Sequence, residues 1–201
     1  MAVGTYPVDL QVERPETSKR MWALFTVIIP IKPIMLIINM IVLYIFMIGA
    51  MAVFFVSQWA VLFTGKYPEG WHRFVVKVIT QGEKLSVWMY GLRDEFPPFA
   101  PSEAAYPMTV TIPHPDTSSR GWAIMTMLFI KYIALIPQVF VLYFVELAQS
   151  VVWYLSQWAV LFTGKYPEGM HRFVVGVDRW QLRVQCFYLG LRDEYPPFST
   201  L

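Results

Sequence analysis

Residues 57–70 read SQWAVLFTGKYPEG, and residues 156–169 read SQWAVLFTGKYPEG again without a difference. A match of that length marks an internal duplication, and it extends in both directions. HRFVV recurs at 72–76 and 171–175, GLRDE at 91–95 and 190–194, and PPF at 97–99 and 196–198, all at an offset of 99. Upstream the offset is 100, pairing Tyr6-Pro7 with Tyr106-Pro107, Thr17-Ser18 with Thr117-Ser118, and Arg20 and Trp22 with Arg120 and Trp122. Two units follow, 1–100 and 101–201.

The segment between the matching stretches decides the class of protein. Hydrophobic residues make up 56% of the 201 and charged residues 15%, too apolar for a surface that faces only water. The excess lies in Met21 to Thr64 and Gly121 to Thr163, where the only charges are Lys32 in the first block and Lys131 and Glu146 in the second. Each block is about twice the roughly 20 residues that cross a bilayer, so a hairpin per block and four membrane helices are expected. Pro137-Gln138 aligns with Ile38-Asn39, and the turns are expected there, giving helices of about 18 and about 26 residues, with Pro30 and Pro33 kinking the first. No hydrophilic loop separates the two arms, so a re-entrant hairpin stays open. Trp22, Trp59, Trp122 and Trp158 fall at the near ends of the blocks, as membrane anchors do. Basic residues cluster outside the blocks, which puts both termini in the cytoplasm by the positive-inside rule. The amino-terminal stretch has neither a cleavable signal nor a lipidation motif, so the hairpins are expected to provide insertion.

Around each hairpin the pattern changes. Tyr6, Val8, Leu10 and Val12 alternate with polar residues, as do Tyr106, Met108, Val110 and Ile112, predicting strands over 6–13 and 106–112. Hairpins over 20–64 and 120–163 follow. Apolar stripes at helical spacing then predict amphipathic helices over 69–92 and 168–191. These lie either in the headgroup region or against the strands. The fold class is a mainly α membrane protein of two tandem repeats, each a short strand, a membrane hairpin and an interfacial amphipathic helix, with a stiff PPF tail.

R-P-E at 14–16, F-T-G-K-Y-P-E-G at 63–70 and 162–169, and G-L-R-D-E-[FY]-P-P-F at 91–99 and 190–198 resemble an uncharacterised family of bacterial membrane proteins, a domain of unknown function often found in tandem. The resemblance covers nearly the whole chain, although His114-Pro115-Asp116 stands for R-P-E in the second copy. It implies a multi-pass protein of the bacterial inner membrane, and no activity.

Candidate chemistry is sparse. Glu69 with His72, and Glu168 with His171, form E-x-x-H pairs that share a helical face, the spacing of metal-binding bundles. The bridging carboxylates such a site needs are missing, so no metal or other cofactor is expected. Turns at 137–138 would set Lys131 beside Glu146, an intramembrane ion pair suited to a proton or ion path. Cys186 is the only cysteine and excludes an intrachain disulfide, and no nucleophile–base set or phosphate loop is present. The net charge of +2 gives no reason to expect nucleic acid. Because the hairpins diverge while the flanks do not, contacts with partners are expected at Tyr67, Glu69, Arg73, Arg93, Asp94 and Glu95 and at their twins Tyr166, Glu168, Arg172, Arg192, Asp193 and Glu194. The expected role is a non-enzymatic membrane scaffold or accessory subunit, partnered by the lipid bilayer and by other membrane subunits or copies of itself. The alternative is a small transport module using Lys131 and Glu146.

Overall fold

The computed structural model describes residues 6–29, 31–102 and 105–200. They form β1 (Asp9–Val12), α1 (Arg20–Val27), α2 (Ile31–Thr64), α3 (Glu69–Met89), β2 (Met108–Thr111), α4 (Arg120–Met127), α5 (Ile130–Thr163) and α6 (Glu168–Tyr188). The second series of four has the lengths of the first, 4, 8, 34 and 21 residues. The molecule is mainly helical with one small sheet, in which β1 and β2 pair antiparallel with Leu10 opposite Val110.

The shared F-T-G-K-Y-P-E-G segment sets the ends of the long helices. Gly65 and Gly164 adopt positive φ of 71° and 74°, and their N–H groups donate to Val61 O and Val160 O at 2.8 Å, closing the last turns. Pro68 and Pro167 then stand at the entry of the next helices, with Glu69 and Glu168 in first turns where a carboxylate favours the helix dipole.

The expected turns are not where the breakers stand. Ile38-Asn39 and Pro137-Gln138 lie inside α2 and α5, which run on for 34 residues, about 51 Å at the helical rise. A proline costs a helix one hydrogen bond without having to end it. Asn39 and Gln138 are buried, and Gln138 is fixed by donating to Pro196 O and accepting from Trp180 Nε1 at 2.8 Å. The chain bends instead at Ile28-Ile29 and at Leu128-Phe129, where Phe129 takes a φ of 61°. Pro33 sits in the first turn of α2, where a missing N–H costs little; Pro30 lies outside the described residues. Helices α1 and α4, at 8 residues or about 12 Å, are too short to cross a bilayer. Among the described residues two helices, not four, have the length and apolarity to do so.

Helices α3 and α6 end three residues earlier than expected, through Gly91 and Gly190 at positive φ. Both pack on the long helices. Helix α3 packs antiparallel along α2, with Phe74 against Gly49 and Lys32 Nζ donating to Trp88 O at 3.2 Å. Helix α6 packs along α5 in the same way and carries the sheet on its other side, with Arg179 and Arg183 donating to Leu10 O and Val8 O. Val8, Leu10 and Ile112 are buried there in one cluster with Leu182 and Cys186.

The two halves are interlocked. Helix α1 packs on α5 and α4 packs on α2, each on the long helix of the other half. Ser18 N–H donates to Gly164 O and Ser118 N–H to Gly65 O, both at 2.9 Å. Phe54 of α2 stacks on Tyr188 at the end of α6, and Gln157 of α5 donates to Tyr90 O just beyond α3. These contacts run α2 and α5 in opposite directions.

The tightest seats of this interlock are Gly91 and Gly190, where an added Cβ would come within 2.9 Å of the Gln157 and Gln58 side-chain amides. Gly91→Ala or Gly190→Ala should lower Tm, at a cost of about 1–2 kcal/mol from the left-handed backbone alone. Thermal unfolding in detergent measures this, and unchanged Tm in both variants would contradict the geometry.

Candidate functional site

The repeated polar motifs close on the chain itself. Asp94 Oδ2 accepts from Lys19 N–H at 2.8 Å and Asp193 Oδ2 from Ser119 N–H at 2.6 Å, so each carboxylate binds the backbone at the entry of a short helix. Arg93 forks onto Glu95 through Nε at 3.0 Å and Nη2 at 2.7 Å, and its Nη1 donates to Glu13 O. Arg192 and Glu194 make the same fork. Tyr6 and Tyr106 donate to Glu194 O and Glu95 O, each across to the other half. Arg14 reaches Tyr166 O, and His114 Nε2 lies 2.8 Å from Tyr67 O. The H-P-D that stands for R-P-E thus reaches the same carbonyl of the opposite Y-P-E-G turn.

Tyr67 and Tyr166 are buried, while Glu69, Arg73, Glu168 and Arg172 remain exposed as the pairs Arg73–Glu69 and Arg172–Glu168. The E-x-x-H residues are therefore not brought together. The Glu69 and Glu168 carboxylates turn to arginines, whereas His72 packs on Tyr67 and His114, and His171 on Tyr166. Among the described residues no group of three His, Cys, Asp or Glu side chains could hold a metal ion. Burial first, then the neighbouring His114 and Arg192, lowers the His72 pKa to about 4; burial, then Arg14 and Arg93, does the same for His171. Both rings are neutral in the fold at pH 7.

Lys131 and Glu146 do not form a pair. They stand on one helix, about 22 Å apart along its axis. Lys131 is buried, with Nζ 4.3 Å from the Phe187 ring centre and 5.7 Å from that of Trp122. Its twin Lys32 lies 5.0 Å over Trp88. Each ammonium is thus held against aromatic faces inside the protein. Trp22 and Trp122 meet Trp88 and Phe187 edge to face, both at 5.2 Å, so they point inward and not to a membrane surface. Trp59 is exposed and Trp158 half-buried, stacked on Phe63 and Phe162.

Helices α2 and α5 splay over α3 and α6, leaving adjoining grooves of about 520 and 480 Å³ lined mainly by apolar side chains such as Met47, Met51 and Leu142. Glu83, Glu146 and Gln181 also line them, and Glu146 accepts from Gln181 at 2.6 Å. Behind Glu83 stands Asp178, 1% exposed, whose Oδ1 accepts from Gln149 at 2.6 Å while Oδ2 has no partner. Burial, partly offset by the Gln149 bond and reinforced by Glu146, pushes Asp178 up to about 7. Burial and Asp178 hold Glu83 well above the usual carboxylate range. The twins of Glu83, Asp178 and Glu146 are Leu182, Ile79 and Met47. Acidic residues with apolar twins are the signal by which self-comparison could have found this cluster.

The remaining surface of α2 and α5 is apolar. Ile34, Ile41, Ile48 and Phe55 on α2, and Ile133, Phe140, Leu147 and Tyr154 on α5, are all exposed. At most 22% of the most apolar stretch of either helix is buried, whereas the core helix of a water-soluble protein would be mostly covered. Helices of this length and apolarity, turned outward, point to a membrane protein. Residues 126–200, from the end of α4 through α5, α6 and the tail, match the family model described as a domain of unknown function, DUF4389. No curated protein and no solved structure matches the chain.

Asp178 supplies a pH test. Its folded pKa is raised, so its contribution to stability is full below about 4 and is lost as pH rises through about 7. Asp178→Asn keeps the acceptor for Gln149 and removes the charge. It should raise Tm at pH 8 and change it little at pH 5, where the parent carboxyl is protonated. An equal effect at both pH values would contradict the assignment. His72 and His171, with lowered pKa values, act in the opposite sense, their stability being lost as pH falls below about 6.5 towards 4.

Proposed function

We propose that this chain is a non-enzymatic membrane scaffold or accessory subunit: two tandem copies of one unit, clasped into a single body that holds an apolar face in lipid and offers its polar corners to a partner. The observation that carries this reading is the division of labour between side chains. The shared motif residues are spent on bracing each half and on joining the two, while the divergent residues of α2 and α5 form the outward apolar surface. A surface that must match only lipid tolerates exchange of Ile, Met, Phe and Val, and a clasp does not.

The corners left for a partner are the exposed Arg73–Glu69 and Arg172–Glu168 pairs beside Lys66 and Lys165. The partner is another membrane protein or a second copy of this chain. The compartment that the basic flanks and the resemblance favour is the cytoplasmic face of the bacterial inner membrane, with both termini on that side. A transport path through Lys131 and Glu146 has lost its geometric basis, since the two do not meet.

Purification from native membranes in mild detergent tests the proposal. The protein should comigrate with partners or copies of itself well above its own 23.4 kDa. A monomer free of other proteins would overturn it.

A further inference from the structure

We propose that α2 and α5 do not cross the bilayer but lie in its plane, their outward faces sunk into the apolar region of one leaflet, with α3, α6 and the sheet stacked above them on the aqueous side. This rests on the membrane reading above and specifies how the chain meets lipid.

Three observations converge on it. The first is where the sheet sits along the helices. Gln149, near the middle of α5, donates to Val174 O and to Asp178 Oδ1 near the middle of α6. Arg179, one residue on, donates to Leu10 O of β1 and pairs with Asp9. The sheet therefore stands over the mid-length of the long helices. If α5 ran along the membrane normal, the exposed Gln11, Glu13, Thr109 and Thr111 would be carried to the centre of the hydrocarbon, where unsatisfied polar groups cost several kcal/mol each. With the helices in the plane, the same residues face water.

The second is length. Exposed apolar side chains run along α2 from Ile34 to Phe63 and along α5 from Ile133 to Phe162. Each stripe spans about 44 Å at the helical rise, against a hydrocarbon thickness of about 30 Å. A crossing helix would leave nearly a third of its stripe in water unless steeply tilted, whereas an in-plane helix wets none of it. The inner face of the same helix is polar at intervals, with Lys32, Asn39, Ser57 and Gln58 buried on α2 and Lys131, Gln138, Gln149 and Gln157 on α5. These polar side chains face the protein, so the outward face left for lipid is the apolar one.

The third is the charge at the ends. Because α2 and α5 are antiparallel, their carboxyl ends lie at opposite ends of the body. At one, Arg120 donates to Phe63 O next to Lys66; at the other, Arg20 lies against Gly164 next to Lys165. All four cations are exposed beside the exposed Phe63 and Phe162. In the plane, both clusters meet the headgroups of the same leaflet, where anionic lipid complements them. With crossing helices the two would be on opposite sides of the membrane.

Spin labels on single cysteines at Ile34, Ile41, Ile48 and Phe55 test this in vesicles of phosphatidylcholine with phosphatidylglycerol. The native Cys186 is fully buried and stays unlabelled. Depth is read from the balance of oxygen and aqueous nickel accessibility. The expected result is one shallow depth at all four positions. Oriented circular dichroism of the unmodified protein in aligned bilayers, which needs no substitution, should show the helix axes parallel to the membrane.

A profile that is shallow at Ile34 and Phe55 and deep at Ile41 and Ile48, with dichroism along the normal, overturns the in-plane arrangement and leaves the membrane reading standing. Labels that lipid-borne oxygen does not reach, on a protein that is dimeric and floats free of vesicles, show the face covered by a second copy and overturn both.

Discussion

Everything in this fold depends on the exchange of short helices between its halves. A 34-residue apolar helix has more surface than its own amphipathic neighbour covers, and α1 and α4 close part of the deficit by crossing to the opposite long helix. The crossing is fixed at backbone level, by Ser18 on Gly164 O and Ser118 on Gly65 O. Those carbonyls belong to glycines at positive φ that already end α2 and α5, so one local conformation both stops a helix and exposes the acceptor that receives the other half.

From that joint the rest follows. Asp94 and Asp193 bind the entry of the short helices, the Arg93 and Arg192 forks brace them, and the tyrosines at 6 and 106 tie the strands to the tails of the opposite half. The strands are thereby brought to the middle, where they pair. The pseudo-symmetry is broken mainly in the core near that axis, where Glu83 and Asp178 occupy positions whose twins are apolar. Burying carboxyls there costs stability, and burial holds both above the usual carboxylate range.

Much of this was legible in the residues. The duplication, the two apolar blocks, the helix starts at Glu69 and Glu168 and the stops at Gly65 and Gly164 are all written in short-range patterns. The position of the bend was not. Pro137 carried the strongest breaker signal but is tolerated because Gln138 anchors the helix there, while the actual bend at Leu128-Phe129 lies in an apolar run with no turn residue. The exchange between halves was invisible for a different reason: identical motifs bind equally well within a half or across, and periodicity does not say which. The aromatic seats of Lys32 and Lys131 needed Trp88 and Phe187, more than 50 residues away in sequence.

Nothing in the clasp requires the two halves to share a chain. Each donates a serine N–H, a tyrosine hydroxyl and a short helix, and receives the same set in return. Two separate single units would satisfy these bonds as a two-fold symmetric dimer, so covalent linkage serves to raise the local concentration of one unit about the other. It also frees the two to differ. A dimer of identical subunits must repeat every residue across its axis, and an acidic residue placed there would appear twice. A single chain can carry Asp178 where the other half has Ile79, an asymmetric centre that a dimer of identical subunits could not hold.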